Sequence, residues 1–430
     1  MSRAGWLRAV VLVTCALFGV PAAHAHGALP NAHTITARIG APGELWIETN
    51  FGLVVSHDDG ATWDWICEEA PGFTGHVDVL VTQDGRVLAA GFDGLIVSDD
   101  GGCSWSKDPL FADLSPTEIE ASPADPARLF VTTARYQNTN GLFRSDDGGY
   151  TWTFTHLRNA GLLFSSIRIA PSNASRVYVS AWWAVGTPEV VLFRSDDGGD
   201  SFTEIRLTSA LPAGAFTVWA VDPSDPDVVY ASLVESSGEG NTRLLRSGDA
   251  GATFQTVFTG PAPLNGLSVS EDGSTVFLGT DTGFYRSIDG GRTFSQLPAP
   301  TANASPLLDE GTLYACASQL KDGFALARSA DRGDTLTTVL RLSDIRGPLD
   351  CPAGSSTADV CPKFWPVVKD SFPKGPVADG GTPADGGEPP PPPPPQGCGC
   401  SDVAGAPLWL MSLLVLGVAG RRDSRRRFLR

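Results

Sequence analysis

The feature that most constrains this chain is a short pattern, Ser-x-Asp-x-Gly-x-Thr/Ser-aromatic, which returns seven times. It stands at Ser56, Asp58, Gly60, Thr62 and Trp63, at Ser98, Asp100, Gly102, Ser104 and Trp105, and at Ser145, Asp147, Gly149, Thr151 and Trp152. It recurs around Asp197, Asp249 and Asp289, and closes at Asp331 with Leu336 in the aromatic slot. The Ser-to-Ser intervals are 42, 47, 50, 52, 40 and 42 residues. Taken alone, LFRSDDGGYTW at 142–152 looks like a loop with two catalytic acids; as one of seven it reads as a repeat.

Each unit reads as four short strands. In the second, HVDVLV (76–81), RVLAAG (86–91) and LIVS (95–98) are separated by the turns QDG and FDG, and a fourth strand leaves the pattern through Trp105. Apolar or β-branched runs bounded by Asp-Gly turns are hairpin signals. A unit of roughly 45 residues with four strands has the size of a propeller blade, and closing the blades into a ring removes the exposed edges a lone sheet would have. The expectation is an all-β fold, a seven-bladed propeller of four-stranded blades over residues 26–343, followed by a Cys-containing segment at 344–372 that caps the ring or latches its ends.

These residues are similar to the Asp box, or BNR repeat, of sialidases, sortilin-like receptors and photosystem II assembly factors. The resemblance spans all seven units and implies a structural role for Asp58, Asp100, Asp147, Asp197, Asp249, Asp289 and Asp331. The physics of a tight turn agrees: the carboxylate accepts N–H and hydroxyl hydrogen bonds from its own loop, Gly149 supplies a conformation closed to a Cβ, and Trp152 enters the blade. A calcium loop starting at Asp146 needs a bidentate Glu at its twelfth position, where this chain has Leu157, so no metal is expected there. The arginines before the turn serines (Arg144, Arg194, Arg246, Arg286 and Arg328) recur at one repeat position and read as solvated ion-pair partners rather than an anion site.

Both ends carry their own signals. Arg3 and Arg8, an apolar run at 9–20 and the triplet Ala23, His24, Ala25 read as a signal peptide over residues 1–25. Residues 373–396 are a Pro/Gly-rich linker. In 397–430, Cys398 and Cys400 precede an uncharged stretch at 403–420 and a cluster of arginines, long enough for one membrane helix with a cytoplasmic end. This tail resembles the myxobacterial C-terminal sorting signal, which implies a sorting protease and anchoring through Cys398 or Cys400 at the cell surface or outer membrane; a plain inner-membrane anchor facing the periplasm is the alternative.

Composition sharpens the exclusions. The chain has 42% hydrophobic and 18% charged residues, enough for a large core. Of 31 basic and 48 acidic residues, the termini hold eight basic and two acidic, so the body carries 23 against 46. Such a surface repels nucleic acid, which is not an expected partner. Export also places Cys67, Cys103, Cys316, Cys351 and Cys361 where disulfides persist, and the pairs Cys67–Cys103 and Cys351–Cys361 are expected. No CxxC or nearby His suggests zinc, and no cofactor is expected.

The enzyme hypotheses find little to stand on at this level. The resemblance to sialidases implies an arginine triad, a Tyr nucleophile and an Asp acid; Tyr136, Tyr178, Tyr230 and Arg168 are present, but no constellation singles them out. Xyloglucan-cleaving enzymes with propellers of this type seat substrate between two propellers, and this chain has length for one. His26 at the new N-terminus resembles the copper-binding histidine of monooxygenases, which are not propellers. The expected function is therefore a noncatalytic surface module that binds a protein or glycan, with a glycan-cleaving hydrolase as the alternative. Loops joining strands two and three, and those entering strand one, carry the candidate ligand residues Phe51, Phe92, Arg135, Tyr136, Trp182, Trp183 and Trp219.

Overall fold

The computed structural model describes residues 29–373 apart from 42, 184–188, 208–209 and 236–241. The expected signal peptide, linker, membrane helix and anchor cysteines lie outside the described residues. Among these, no helix is long and apolar enough to cross a membrane.

Among the described residues, twenty-eight strands form seven separate four-stranded sheets, each built from four consecutive antiparallel strands. The first strands of the blades are Ala32–Ala37, Val77–Val81, Pro116–Ser122, Leu162–Ala170, Gly214–Val221, Leu264–Val269 and Ser305–Asp309. Each packs against the first strand of the next blade, and the last returns to the first, so they form the inner wall of a closed ring. The chain is a seven-bladed β-propeller.

Burial follows the radial position. In the second blade the middle strands Val87–Gly91 and Gly94–Ser98 are buried throughout, whereas the outermost, Ser106–Lys107, is exposed. The middle strands read as near-continuous apolar runs because neighbouring blades cover both of their faces. The seams are apolar: Tyr178 and Leu192 of the fourth blade pack with Phe216 and Val218 of the fifth. Full burial of a side chain such as Phe216 contributes about 1.5–3 kcal/mol.

The repeated turn lies between the third and fourth strands and satisfies itself. Asp147 Oδ1 accepts the Thr151 N–H at 2.9 Å, Oδ2 accepts the Thr151 hydroxyl at 2.6 Å, and the Ser145 hydroxyl donates to Oδ1 at 2.7 Å. The Asp Oδ1 contact with the backbone N–H four residues on recurs in all seven blades at 2.7–2.9 Å. The glycine is required twice over: Gly251 has φ +81°, and a Cβ there would lie 2.3 Å from Leu192 of the preceding blade. The arginines beside the turns tie blades together at the rim, Arg144 reaching Asp200 of the next blade at 2.7 Å and Arg286 reaching Asp334 at 2.7 Å.

The ring closes without strand exchange. Blade seven meets blade one through Tyr314 Oη donating to Asp59 at 3.0 Å and Arg328 paired with the same carboxylate at 3.1 Å. The C-terminal segment then crosses the outside of blades one and two. Its backbone runs beside Asp64–Ile66, with Trp65 N–H donating to the Gly347 carbonyl at 2.8 Å and Leu349 N–H to the Trp65 carbonyl at 2.8 Å. Two disulfides fix it, and they correct the expected pairing: Cys67 joins Cys361, and Cys103 joins Cys351. Cys67 follows the outer strand of blade one and Cys103 sits in the repeated turn of blade two, so each meets the crossing segment rather than its neighbour in sequence. The segment thereby ties the outer edges of blades one and two together. Cys316 is free and buried, and burial pushes its thiol pKa up.

Candidate functional site

In a four-stranded meander, the loops from strand two to three and those entering the next strand one share one end of the ring, and the repeated turns share the other. Ser115 marks the first end. Its carbonyl accepts the Ala134 N–H of its own blade at 2.8 Å, and its hydroxyl donates to the Phe92 carbonyl of the preceding blade at 3.4 Å.

On the inner wall, one repeat slot breaks the pattern. The position paired with the second strand at Ala90 and Thr132 holds Asp78 and Glu118 in blades two and three, whereas the other blades have Thr34, Ser166, Thr217, Gly266 and Ser305 there. Two residues along, blade three adds Glu120 and blade four adds Arg168. Strand alternation places Glu118 and Glu120 on one face, and both approach Arg168: Glu118 in direct contact with Nη1, and Glu120 at 3.8 Å. The guanidinium is held in turn by the Trp219 carbonyl of blade five at 2.7 Å and the Ile167 carbonyl at 2.6 Å.

Part of this arrangement is seam chemistry. Asp78 accepts the Ile119 N–H of the next blade at 2.8 Å and Glu118 accepts the Ile167 N–H at 2.7 Å. In blade four, Ser166 does the same job for Val218 at 2.9 Å. A hydroxyl suffices for the seam, so the negative charge is additional. Three carboxylates face one arginine in surroundings that penalise ionisation. Burial pushes Glu118 up to about 8, against the pull of Arg168 and with the support of Asp78 and Glu120. Burial likewise raises Glu120 to about 7, again against Arg168, and raises Asp78. Glu118 and Glu120 remain 14% and 29% exposed, so water and a ligand group can reach them. Such a pair keeps a proton near neutral pH, which is what general acid–base chemistry needs. Among the described residues, no group of three or more His, Cys, Asp or Glu is placed to hold a metal ion.

The residues expected from sequence scatter. Phe92 and Tyr136 are 70% and 60% exposed on the strand-two-to-three loops of adjacent blades, at the site's end of the ring, and Arg135 accompanies Tyr136. Phe51 is corrected: it is only 8% exposed because Phe372 of the C-terminal segment covers it, ring centres 5.4 Å apart. Trp183 packs into the blade's apolar cluster, and Trp182 beside it is half-buried. Trp219 is committed to the interior through Nε1 to Ser232 at 2.8 Å, and it joins the site by its carbonyl. Sequence reasoning missed Asp78, Glu118 and Glu120 and noted Arg168 without a partner. The signal was there in VDV and TEIE, where Asp78 and Glu118 fill a first-strand slot that the five other blades give to small or hydroxyl residues.

No family model matches the chain. Two curated xyloglucanases are similar to it. The one from Hypocrea jecorina (strain QM6a) is 26% identical over 265 residues, covering 56% of this chain and 29% of its own length. The one from Paenibacillus sp is 26% identical over 226 residues, covering 49% and 18%. The chain thus spans less than a third of the length of either relative. Among solved structures, the GH74 xyloglucanase from Xanthomonas campestris is similar at 16% identity and TM-score 0.47, covering 71% of this chain and 60% of that one. YCF48 from Cyanidioschyzon merolae is similar at 13% identity and TM-score 0.43, covering 67% and 95%. The expected noncatalytic binding role is overturned by the sequence relatives, since both proteins are named as enzymes.

Proposed function

We propose that this chain is the propeller of a glycoside hydrolase acting on a β-glucan of the xyloglucan type. The observation that carries the reading is the pair Glu118 and Glu120, two proton-retaining carboxylates on one face of one inner strand beside a single arginine. Hydrolysis of a glycosidic bond needs one carboxylic acid to protonate the leaving oxygen and one carboxylate to activate water or attack. Both carboxylates reach the same Arg168 nitrogen from one strand face, so an acid and a carboxylate stand side by side. Phe92 and Tyr136, exposed at the same end, supply flat apolar faces on which sugar rings stack. The xyloglucanase relatives support the same reading. Export and surface anchoring belong to this proposal, and the two disulfides support an oxidising compartment.

The test is hydrolysis of xyloglucan and of unbranched β-glucans by the full chain, with the product anomer followed by proton NMR. Release of oligosaccharide, abolished in Glu118→Gln and Glu120→Gln, is the expected result. An inert wild-type protein, or full activity in both variants, overturns the proposal.

A further inference from the structure

A second break in the repeat lies across the seam of blades one and two. The second-strand slot that faces Asp78 and its equivalents holds Ala90, Thr132, Ser180, Ser232, Gly279 and Cys316 in six blades, all small, and Glu48 in the first. Glu48 is a carboxylate only 4% exposed, and its Oε2 lies 2.9 Å from Nδ1 of His76, the residue just before the inner strand of blade two. His76 is 57% exposed at its side chain, and its backbone adjoins Gly91, the residue before the exposed Phe92. The imidazole therefore stands between the aromatic rim and the carboxylates, with Asp78 two residues on along the same strand.

A surface ion pair in which both partners face water fixes little. Here one partner is buried and immobile, and it determines which ring nitrogen is occupied. With Nδ1–H directed at Glu48, the donor left over is Nε2–H. We infer that His76 is a substrate-binding residue of this site, locked by Glu48 so that its Nε2–H donates to a hydroxyl of the bound glycan; this rests on the hydrolase reading. The charged groups that act on the imidazole are Glu48, Asp78 and Glu118. Burial lowers its pKa, but the charge and hydrogen bond of Glu48, joined by Asp78 and Glu118, together outweigh burial and raise it to about 9, so the donor persists through neutral pH.

The experiment is steady-state kinetics of the full chain on xyloglucan. His76→Gln is expected to raise KM about tenfold, the effect of one ligand hydrogen bond, with kcat within about twofold. Glu48→Gln keeps the shape but removes the charge, so His76 should titrate nearer its ordinary 6.5. Its KM should match wild type at about pH 5.5 and climb toward the His76→Gln value at about pH 8, a pH dependence that a merely structural role does not produce. If His76→Gln fails to fold, the pH dependence of KM in Glu48→Gln decides alone. An active wild type with unchanged KM in His76→Gln overturns this inference and leaves the hydrolase reading standing. A KM in Glu48→Gln that does not vary with pH overturns it equally. A wild type inert on every β-glucan overturns both.

Discussion

The propeller holds two populations of carboxylate that share their chemistry and little else. At the outer turns, Asp147 and its six equivalents stand in water and accept hydrogen bonds from their own loops. Their pKa values are held down, with Asp197 and Asp331 near 2 through bonds to Ser201 and Thr335. On the inner wall, Asp78, Glu118 and Glu120 are pushed up by burial and by neighbouring carboxylates, with Arg168 as the shared counterion. The difference teaches where to look in a repeat protein. A residue present in every blade answers a need of the blade, whereas a charge in a slot that other blades fill with Ser, Thr or Gly is a cost to folding that the ring does not need. Rules broken at one place only mark the places where function is the compensation.

The sharpest way to break this comparison is to disable one inner carboxylate and ask whether it behaves like scaffold. Glu118→Gln should lower kcat on xyloglucan by on the order of 10³, within the range for losing a general acid or base, while keeping the fold because the amide oxygen still accepts the Ile167 N–H. Glycan turnover and thermal melting of the same sample check both halves. Activity retained in Glu118→Gln would put the inner carboxylates back among the scaffold.

Next in size is the clasp, which stands outside both populations. Replacing Cys67 and Cys361 with Ser opens a loop of 294 residues, and loss of a native disulfide costs about 2–5 kcal/mol. Denaturant unfolding should show the midpoint drop, with the far-ultraviolet spectrum of the folded state unchanged. No shift in midpoint would mean that the Cys103–Cys351 disulfide and the contacts between blades seven and one hold the ring closed without it.

The two populations also oppose each other in pH dependence. A carboxylate whose folded pKa is raised favours the fold while protonated, so Glu118 and Glu120 contribute below their ordinary 4.5 and lose that contribution as pH rises toward about 8 and 7. His76, raised to about 9, likewise stabilises below 6.5 and ceases to do so above 9. The turn aspartates have the reverse sign: their contribution is full above 3.8 and is lost as pH falls toward 2. The melting temperature should therefore peak at mildly acid pH and decline from there to pH 9. Glu118→Gln should flatten the alkaline decline; a melting temperature that rises across that range contradicts the assignment.

Much of the fold was legible because it is repetitive. Seven copies of Ser-x-Asp-x-Gly fixed the number of blades, and Asp-Gly turns fixed four strands in each. The site was less legible for the same reason, since the eye is drawn to the recurring carboxylates and not to TEIE, where Glu118 and Glu120 depart from their blade equivalents in two slots only. Cross-blade contacts could not be read at all. The disulfides depend on the path of residues 344–372 over two blades, and Phe51 looked like a ligand residue because it lies on a loop joining strands two and three; Phe372 covers it, from 321 positions away in sequence. Glu48 and His76 meet only because one blade is wrapped against the next.

The smallest predicted effect tests the scaffold side of the comparison. Asp147→Ala removes the acceptor for the Thr151 N–H and hydroxyl and for the Ser145 hydroxyl. Because this loop is exposed, water replaces part of what is lost, and the cost should resemble that of a removed helix cap, about 1 kcal/mol. The same substitution at Asp289, in a turn three blades away, should cost a similar amount, and the double variant should show the sum, since distant and independent sites add. Denaturant midpoints of the two single variants and the double check this, alongside a kcat that stays at the wild-type value in all three. Strong non-additivity would mean that the turns cooperate around the ring, and a fall in kcat would mean that the outer carboxylates are not scaffold alone.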